Sequence, residues 1–393
     1  MIARFSQLGA RVSEAWRARR RDERAFPEIA RTALEWAALD RTYDFDALAQ
    51  ALAVADPLPR QNVADESFGQ PPVTVFQGDG FFIEVLFWTD GAVAIHQHGF
   101  SGAFSVFEGS SVHTRHRFTE TKRINSAVLL GELSFVDAEL LVRGDVREIP
   151  AGPELIHTTF HLDRPTVSIV VRTHSEHLGQ PQYSYLPPGL AFDPFPARPT
   201  MQKRLQILRG LHRTRRETYW RTTESLLAVA DWHMTYLVLD QVYMLCESAE
   251  DRARVCGMAR AAHGDEIDVL VPVLEATAAQ RFLTGRRDSE TDEELRFVLG
   301  VVLAVPSRPK ILELVARRFP GEEAPAVALR CLKKLGFDDD ALVLGGAILA
   351  VGSDRGALKA RLARAEVGFA NDYALLKAVR TLREVPGLAA LLT

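Results

Sequence analysis

Two histidines one residue apart, His96-Gln97-His98, close the short apolar run Gly91-Ala92-Val93-Ala94-Ile95. Side chains along a strand alternate between faces, so a strand here points both imidazoles the same way. Two neutral imidazole nitrogens on one face supply half the donors of a first-row divalent metal site. A second stretch of interest is Gly144-Asp145-Val146-Arg147-Glu148-Ile149-Pro150-Ala151-Gly152, followed by His157 and then His161. His161 reads either as a group lining such a site or as a surface histidine ahead of Asp163 and Pro165. His113 and His116 follow a turn at Gly109 and read as an exposed strand face, with a pocket-lining role for one of them as the alternative. His174 and His177 read as solvated. In the C-terminal half, Glu224, Asp231, His233, Asp240, His263, Glu266, Asp268 and Glu275 read as solvated helix faces and caps. No clean Glu-x-x-His pair is present among them to mark a di-iron centre. The glycines near 345 to 356 follow no strand, so they make no phosphate loop.

The elements that must position these residues fall into segments. Residues 1–65 read as helical, with Leu8, Val12 and Trp16 at a spacing of four and further apolar faces after Pro27. Residues 66–186 change to short Val-, Ile- and Phe-rich runs. Expected strands are Val73–Phe76, Phe81–Trp88, Ala92–Ile95, Phe104–Phe107, Ala127–Leu130, Glu139–Val142, Val146–Ile149 and Val167–Arg172. Turns at Gly78-Asp79-Gly80, Asp90-Gly91 and Arg143-Gly144-Asp145 separate them, a pattern that predicts a sandwich or barrel. Phe81, Phe82, Phe87, Trp88, Phe104 and Phe107 read as its core. Residues 187–204 hold five prolines and read as a stiff connector, and residues 205–393 read as an all-helical domain of short stacked helices, solenoid-like. Gly345-Gly346 is among the expected helix breakers.

Composition narrows the function class. The 393 residues are 47% apolar and 25% charged, ordinary for a globular chain. Lys and Arg number 47 against 51 Asp and Glu, a net charge of −4, which argues against nucleic acid as the main partner. The three cysteines, Cys246, Cys256 and Cys331, are scattered through apolar helical sequence and read as reduced, buried thiols in a cytoplasmic protein. No apolar run reaches the roughly 20 residues of a membrane span.

The motif residues resemble those of the cupins, small double-sheet jelly-roll barrels. His96-x-His98 is similar to the first cupin motif. Gly144, Pro150 and Gly152 match the spacing of the second, with His157 two residues later than its commonest histidine. The resemblance implies an α+β multidomain chain: a central cupin barrel (a double-stranded β-helix) flanked by N-terminal helices and an all-α C-terminal domain. It further implies one metal ion held by His96, His98 and His157. Where many cupins place a glutamate after His-x-His, this chain has Gly102 and Ala103, so it resembles the three-histidine subset, which includes the thiol dioxygenases. The run Gln77-Gly78-Asp79-Gly80, the strand ending at Trp88 and the following His-x-His are similar to cysteine dioxygenase. That resemblance implies Fe(II) as cofactor and a dioxygenase acting on a small chelating substrate with O2. Other first-row divalent metals stay open, because three imidazoles accept them all. Pro72 stands where that family has its carboxylate-binding arginine. Ala103 stands where some members have a cysteine, and Val170 and Arg172 stand where it has histidine and tyrosine. These departures point away from cysteine itself. Arg172 is then the expected anion contact from another wall, with His161 as a second substrate group. A non-catalytic, ligand-sensing cupin whose helical half binds a protein or a second copy is the alternative. A metal-dependent isomerase or lyase is a third reading.

Overall fold

The computed structural model describes residues 1–62, 69–89, 94–174, 182–194, 199–352, 354–364, 378–379 and 389–392. Four N-terminal helices, α1 (Ile2–Ala18), α2 (Phe26–Ala37), α3 (Leu39–Thr42) and α4 (Phe45–Val54), precede the strands. Among the described residues, eleven strands follow: β1 (Pro72–Gln77), β2 (Phe81–Trp88), β3 (Ile95–His98), β4 (Gly102–Glu108), β5 (Ser110–Asn125), β6 (Val128–Val142), β7 (Val146–Ile149), β8 (Gly152–His161), β9 (Thr166–Thr173), β10 (Ser184–Leu186) and β11 (Leu190–Phe192). They form two antiparallel sheets. One has the order β1-β2-β9-β4-β7, and the other closes on itself as β10-β11-β6-β5-β8-β3. Helices then run from Pro199 onward. The α+β architecture expected from the sequence is therefore present: a double-sheet antiparallel β-barrel between N-terminal helices and a C-terminal all-α region.

Period-two alternation explains how one sheet serves two cores. On β2 and β9, Ile83, Val85, Ile169 and Val171 face outward and pack with Phe5, Leu8, Val12, Phe26 and Leu34 of α1 and α2. The alternate residues Leu86, Trp88 and Val170 face inward with Phe104 and Ile149. Both faces are covered, which is why Phe81–Trp88 reads as an almost continuous apolar run. Trp16, Phe26 and Phe81 form an edge-on aromatic cluster, with ring centroids 4.7 to 6.2 Å apart.

The second sheet is covered by the C-terminal helices. The first group is α5 (Pro199–Thr214), α6 (Arg216–Leu227), α7 (Trp232–Leu245), α8 (Ala249–His263) and α9 (Leu270–Asp288). It packs on Val128, Leu130 and Leu190 of β6 and β11. The second is α10 (Glu293–Ala304), α11 (Arg308–Arg318), α12 (Ala324–Lys334), α13 (Asp339–Val351) and α14 (Arg355–Arg364). It packs on Val112, Leu140, Phe160 and Leu162. Local capping sets where helices begin: Asp292 accepts from the Leu295 amide and Asp338 from the Ala341 amide, both at 2.8 Å. No helix among the described residues is long and apolar enough to cross a membrane.

Several expectations change. Apart from Ala127, which lies in the preceding turn, the expected strands 127–130 and Glu139–Val142 are two ends of one long strand, β6, paired along its length with β5. Leu190–Phe192, within the proline-rich 187–204, is a strand that pairs with β6 and helps close the barrel. Ala92, Val93 and the Asp90-Gly91 turn lie outside the described residues, while β3 ends on the two histidines, as expected from the sequence. Gly345-Gly346 lies inside α13 and breaks nothing. A side chain added at Gly346 would meet Leu329 of α12 at 3.2 Å, so the glycine pair lets two helices approach closely, and that packing overrides its weak helix propensity. Cys331 is buried, whereas Cys246 and Cys256 are half-buried.

Candidate metal centre

Three neighbouring strands of the closed sheet carry the candidate site. In register, His96 of β3 faces His157 of β8, and on β5 Ser111 faces His161 while His113 faces Thr159. His96, His98, Ser111, His113, His157 and His161 therefore belong to one set of alternating positions and are all buried.

His96, His98 and His157 each bring one ring nitrogen to within 4.8 Å of the others. The Nε2 atoms of His98 and His157 are 2.7 Å apart. Two imidazole nitrogens bound at right angles to one ion, each at about 2.1 Å, would sit about 3 Å apart, so a shared ion fits with a small adjustment. His96 Nδ1 donates to the Ala94 carbonyl at 2.8 Å, which leaves its buried Nε2 as a lone pair without a partner in the protein. Burial holds all three imidazoles below their ordinary pKa, with the mutual repulsion of neighbouring cations adding to it, so each is neutral at pH 7. Neutral rings with inward lone pairs are the donor form a divalent ion requires. Among the described residues this is the one cluster of three or more potential ligands close enough to share an ion.

Behind His157 lies a chain of polar contacts that the sequence did not reveal. His157 Nδ1 lies 2.9 Å from His113 Nε2, and His113 Nδ1 lies 3.0 Å from Glu139 Oε1. Arg147 holds Glu139 with two bonds, at 2.9 and 2.6 Å. These contacts keep the Glu139 carboxyl far below the usual carboxylate range, Arg147 first and His113 second. The exposed-face reading of His113 was wrong: β5 is clamped between β6 and β8, and this end of it faces the barrel interior. His116 is half-buried, and its Nε2 lies 2.8 Å from Thr114 Oγ1.

The triad opens on a cavity of about 40 Å³ walled by Leu86, Trp88, Phe100, Phe104, Ile149 and Val170, with Glu84, His161, Ser168 and Arg172 among its polar members. Trp88 and Phe104 thus line the pocket as well as filling core. His161 is 4% exposed, which removes its surface reading. Its ring stacks on Trp88 at 4.4 Å, Ser111 Oγ contacts its Nδ1 at 2.9 Å, and its Nε2 has no partner. Burial, reinforced by the charge of Arg287, pushes its pKa down to about 3. The Arg172 guanidinium lies 3.6 Å from the Phe100 ring centre, and Phe100 packs 4.4 Å from His98. Its Nε is buried without a partner, and burial pushes its pKa down to about 10 against the opposing pull of Glu84. The structure brings Arg172 and His161 to the same cavity as the triad. His174 is exposed, lying against Phe82 with Gln77 at 2.9 Å, and His177 lies outside the described residues.

One cation ties this site to the helical half. Arg287 of α9 is fully buried and donates to the carbonyls of His161 and Leu162 at 2.7 and 3.0 Å. Its guanidinium also lies 4.7 Å from the Phe160 ring centre.

No family model matches the chain, and no curated protein matches it. Among solved structures, the chain is similar to the DMSP lyase DddQ from Ruegeria pomeroyi DSS-3, with 18% identity over 34% of this chain and 62% of that one and a TM-score of 0.22. It is also similar to a cupin-2 domain protein from Shewanella frigidimarina, with 13% identity over 33% and 93% of the two chains and a TM-score of 0.20. For a cupin-like protein from Thermotoga maritima the values are 16%, 32%, 85% and 0.20.

Proposed function

We propose that this chain is a mononuclear metal-dependent enzyme of the non-haem Fe(II) oxygenase type, using O2 on a small, anionic, chelating substrate. The observation that supports it is the convergence of three neutral imidazoles and a buried-wall arginine on one apolar cavity. A ferrous ion at His96, His98 and His157 would supply redox chemistry and three open coordination positions, with no protein carboxylate to offset its charge. Arg172 then holds the anionic end of the substrate, its guanidinium already braced on Phe100. Trp88, Phe100 and Phe104 exclude water. The Nε2 of His161 offers a hydrogen-bonding position, and a pKa near 3 makes it a poor general base at neutral pH. The test is oxygen uptake by the Fe(II)-loaded chain across a panel of small thiols and organic acids. At least one should drive O2 consumption, and His157→Ala should abolish both metal retention and uptake. A metal-loaded chain that turns over none of the panel with O2 would refute the proposal.

A further inference from the structure

The cavity wall formed by β2 and β9 carries two opposite charges that do not pair. Glu84 lies opposite Val170, and Arg172 lies opposite Phe82. Glu84, Val170 and Arg172 therefore share the inward face, and Glu84 and Arg172 are diagonal neighbours at about 7–8 Å between backbone positions. Each feels the other's charge without a hydrogen bond between them. Glu84 is 1% exposed; its Oε1 receives a weak 3.4 Å bond from Thr74, and its Oε2 has no partner. Arg172 Nε is likewise buried and unmatched. The rest of this wall is Leu86, Trp88, Val170 and the small Ser168, so an apolar side chain at 84 would pack here without the cost of burying a carboxylate.

We propose that the cavity binds a small zwitterion, its anionic group against Arg172 and its cationic group against Glu84, with its apolar middle against Trp88 and Val170. This rests on the reading of the cavity as the substrate site and narrows the substrate to molecules bearing both charges a few atoms apart. The cavity is small, about 40 Å³, which favours a short zwitterion over a long one. One molecule spanning the two groups satisfies both orphaned atoms and offsets both charges at once, that of the buried Glu84 and that of the half-buried Arg172. A simple acid satisfies only Arg172.

The test uses the full chain loaded with Zn(II), a redox-silent ion, titrated by calorimetry with glycine, β-alanine, 4-aminobutyrate, propionate and propylamine. At least one amino acid should bind about tenfold or more tightly than propionate and propylamine. Glu84→Gln should bring that amino acid down to the affinity of propionate while propionate stays within about twofold, and Arg172→Gln should weaken both. The proposal is overturned if propionate matches every amino acid, if no probe binds, or if Glu84→Gln keeps the preference. The ranking in the unaltered protein stands whether or not either variant folds. Because oxygen uptake is not read, a zwitterion preference without O2 consumption would sink the oxygenase and leave this inference standing. Uptake driven by a simple acid, with no zwitterion preference, would do the reverse.

Discussion

The contacts behind His157 make the sharpest prediction. A ligating imidazole must carry its proton on the nitrogen away from the ion, and its outer partner sets that tautomer. Glu139 is an acceptor only, so His113 Nδ1 carries the proton toward it and His113 Nε2 is left to accept from His157 Nδ1. His157 Nε2 then presents a lone pair to the triad. In His113→Phe, the ring volume survives but the buried His157 N–H loses its acceptor, at a cost of about 1–3 kcal/mol. Expressed as metal affinity, that is about 10- to 100-fold, the range typical of such outer partners. Glu139→Gln keeps size and removes the anion, and should weaken binding about tenfold. Because Glu139 acts on the metal only through His113, the double variant should bind no more weakly than His113→Phe alone. Competition of Zn(II) between the protein and a chromophoric chelator gives the dissociation constants, and the Co(II) visible spectrum reports the ligand field. Thermal melts of the metal-free variants separate folding from binding. Affinities within twofold of the parent in both single variants, or strictly additive losses in the double, would refute the relay.

Further outcomes follow from other contacts. Arg287→Met removes the donor to the His161 and Leu162 carbonyls from a fully buried site and should lower stability by about 3 kcal/mol in urea unfolding, while loosening the His161 wall so that ligand affinity falls too. Acid should unfold the protein partly through His161, whose pKa is about 3 in the fold against 6.5 when free. Between those two pH values the unfolded chain binds a proton that the folded chain refuses, so stability falls as pH drops, by up to about 1.4 kcal/mol per pH unit. His161→Gln should flatten that part of the stability–pH curve; an unchanged slope would contradict the burial argument. Gly102→Ala would place a methyl 2.3 Å from the Val171 carbonyl oxygen, where β4 meets β9 beside Arg172. Backbone cannot yield there, so a loss of about 1–3 kcal/mol is expected in the same unfolding assay.

How much of this was legible in the chain depends on which force shaped each piece. The histidine triad was readable because His96 and His98 sit two apart on a strand and because Gly144, Pro150 and Gly152 match a known motif spacing, with His157 two residues past that motif's commonest histidine. Strand β2 was readable to the residue, since burial on both faces leaves an unbroken apolar run between two turns. Glu84 was in plain sight as the one acid inside that run, and its position was itself the signal: a carboxylate buried between two cores needs a reason. His113 was not readable, because residues 115–125 of the same strand are mostly polar and none of them is buried, and the inward end looks like a continuation of them. Its partner Glu139 comes from the far end of the hairpin, a pairing set by the register of β5 on β6. Strand β11 was hidden by its prolines, which flank Leu190-Ala191-Phe192 without interrupting it.

The same period-two logic gives the helical half a physical role. A barrel that points its polar and ligating residues inward must point the alternate residues out. On β5, β6 and β8 those are Val112, Ala138, Leu140 and Phe160, all apolar. On β2 and β9 they are Ile83, Val85, Ile169 and Val171, likewise apolar. Neither set can face water at that density, so one outer face takes the N-terminal helices and the other takes the C-terminal ones. Each layer touches the site by a single residue step. Val171 meets the N-terminal helices while Arg172 lines the cavity, and Phe160 meets α10 while His161 stacks on Trp88. A change in how α9 and α10 sit on β8 therefore moves His161 directly, through Arg287 and the strand itself. The helical half is on these grounds part of the pocket's wall, one residue removed.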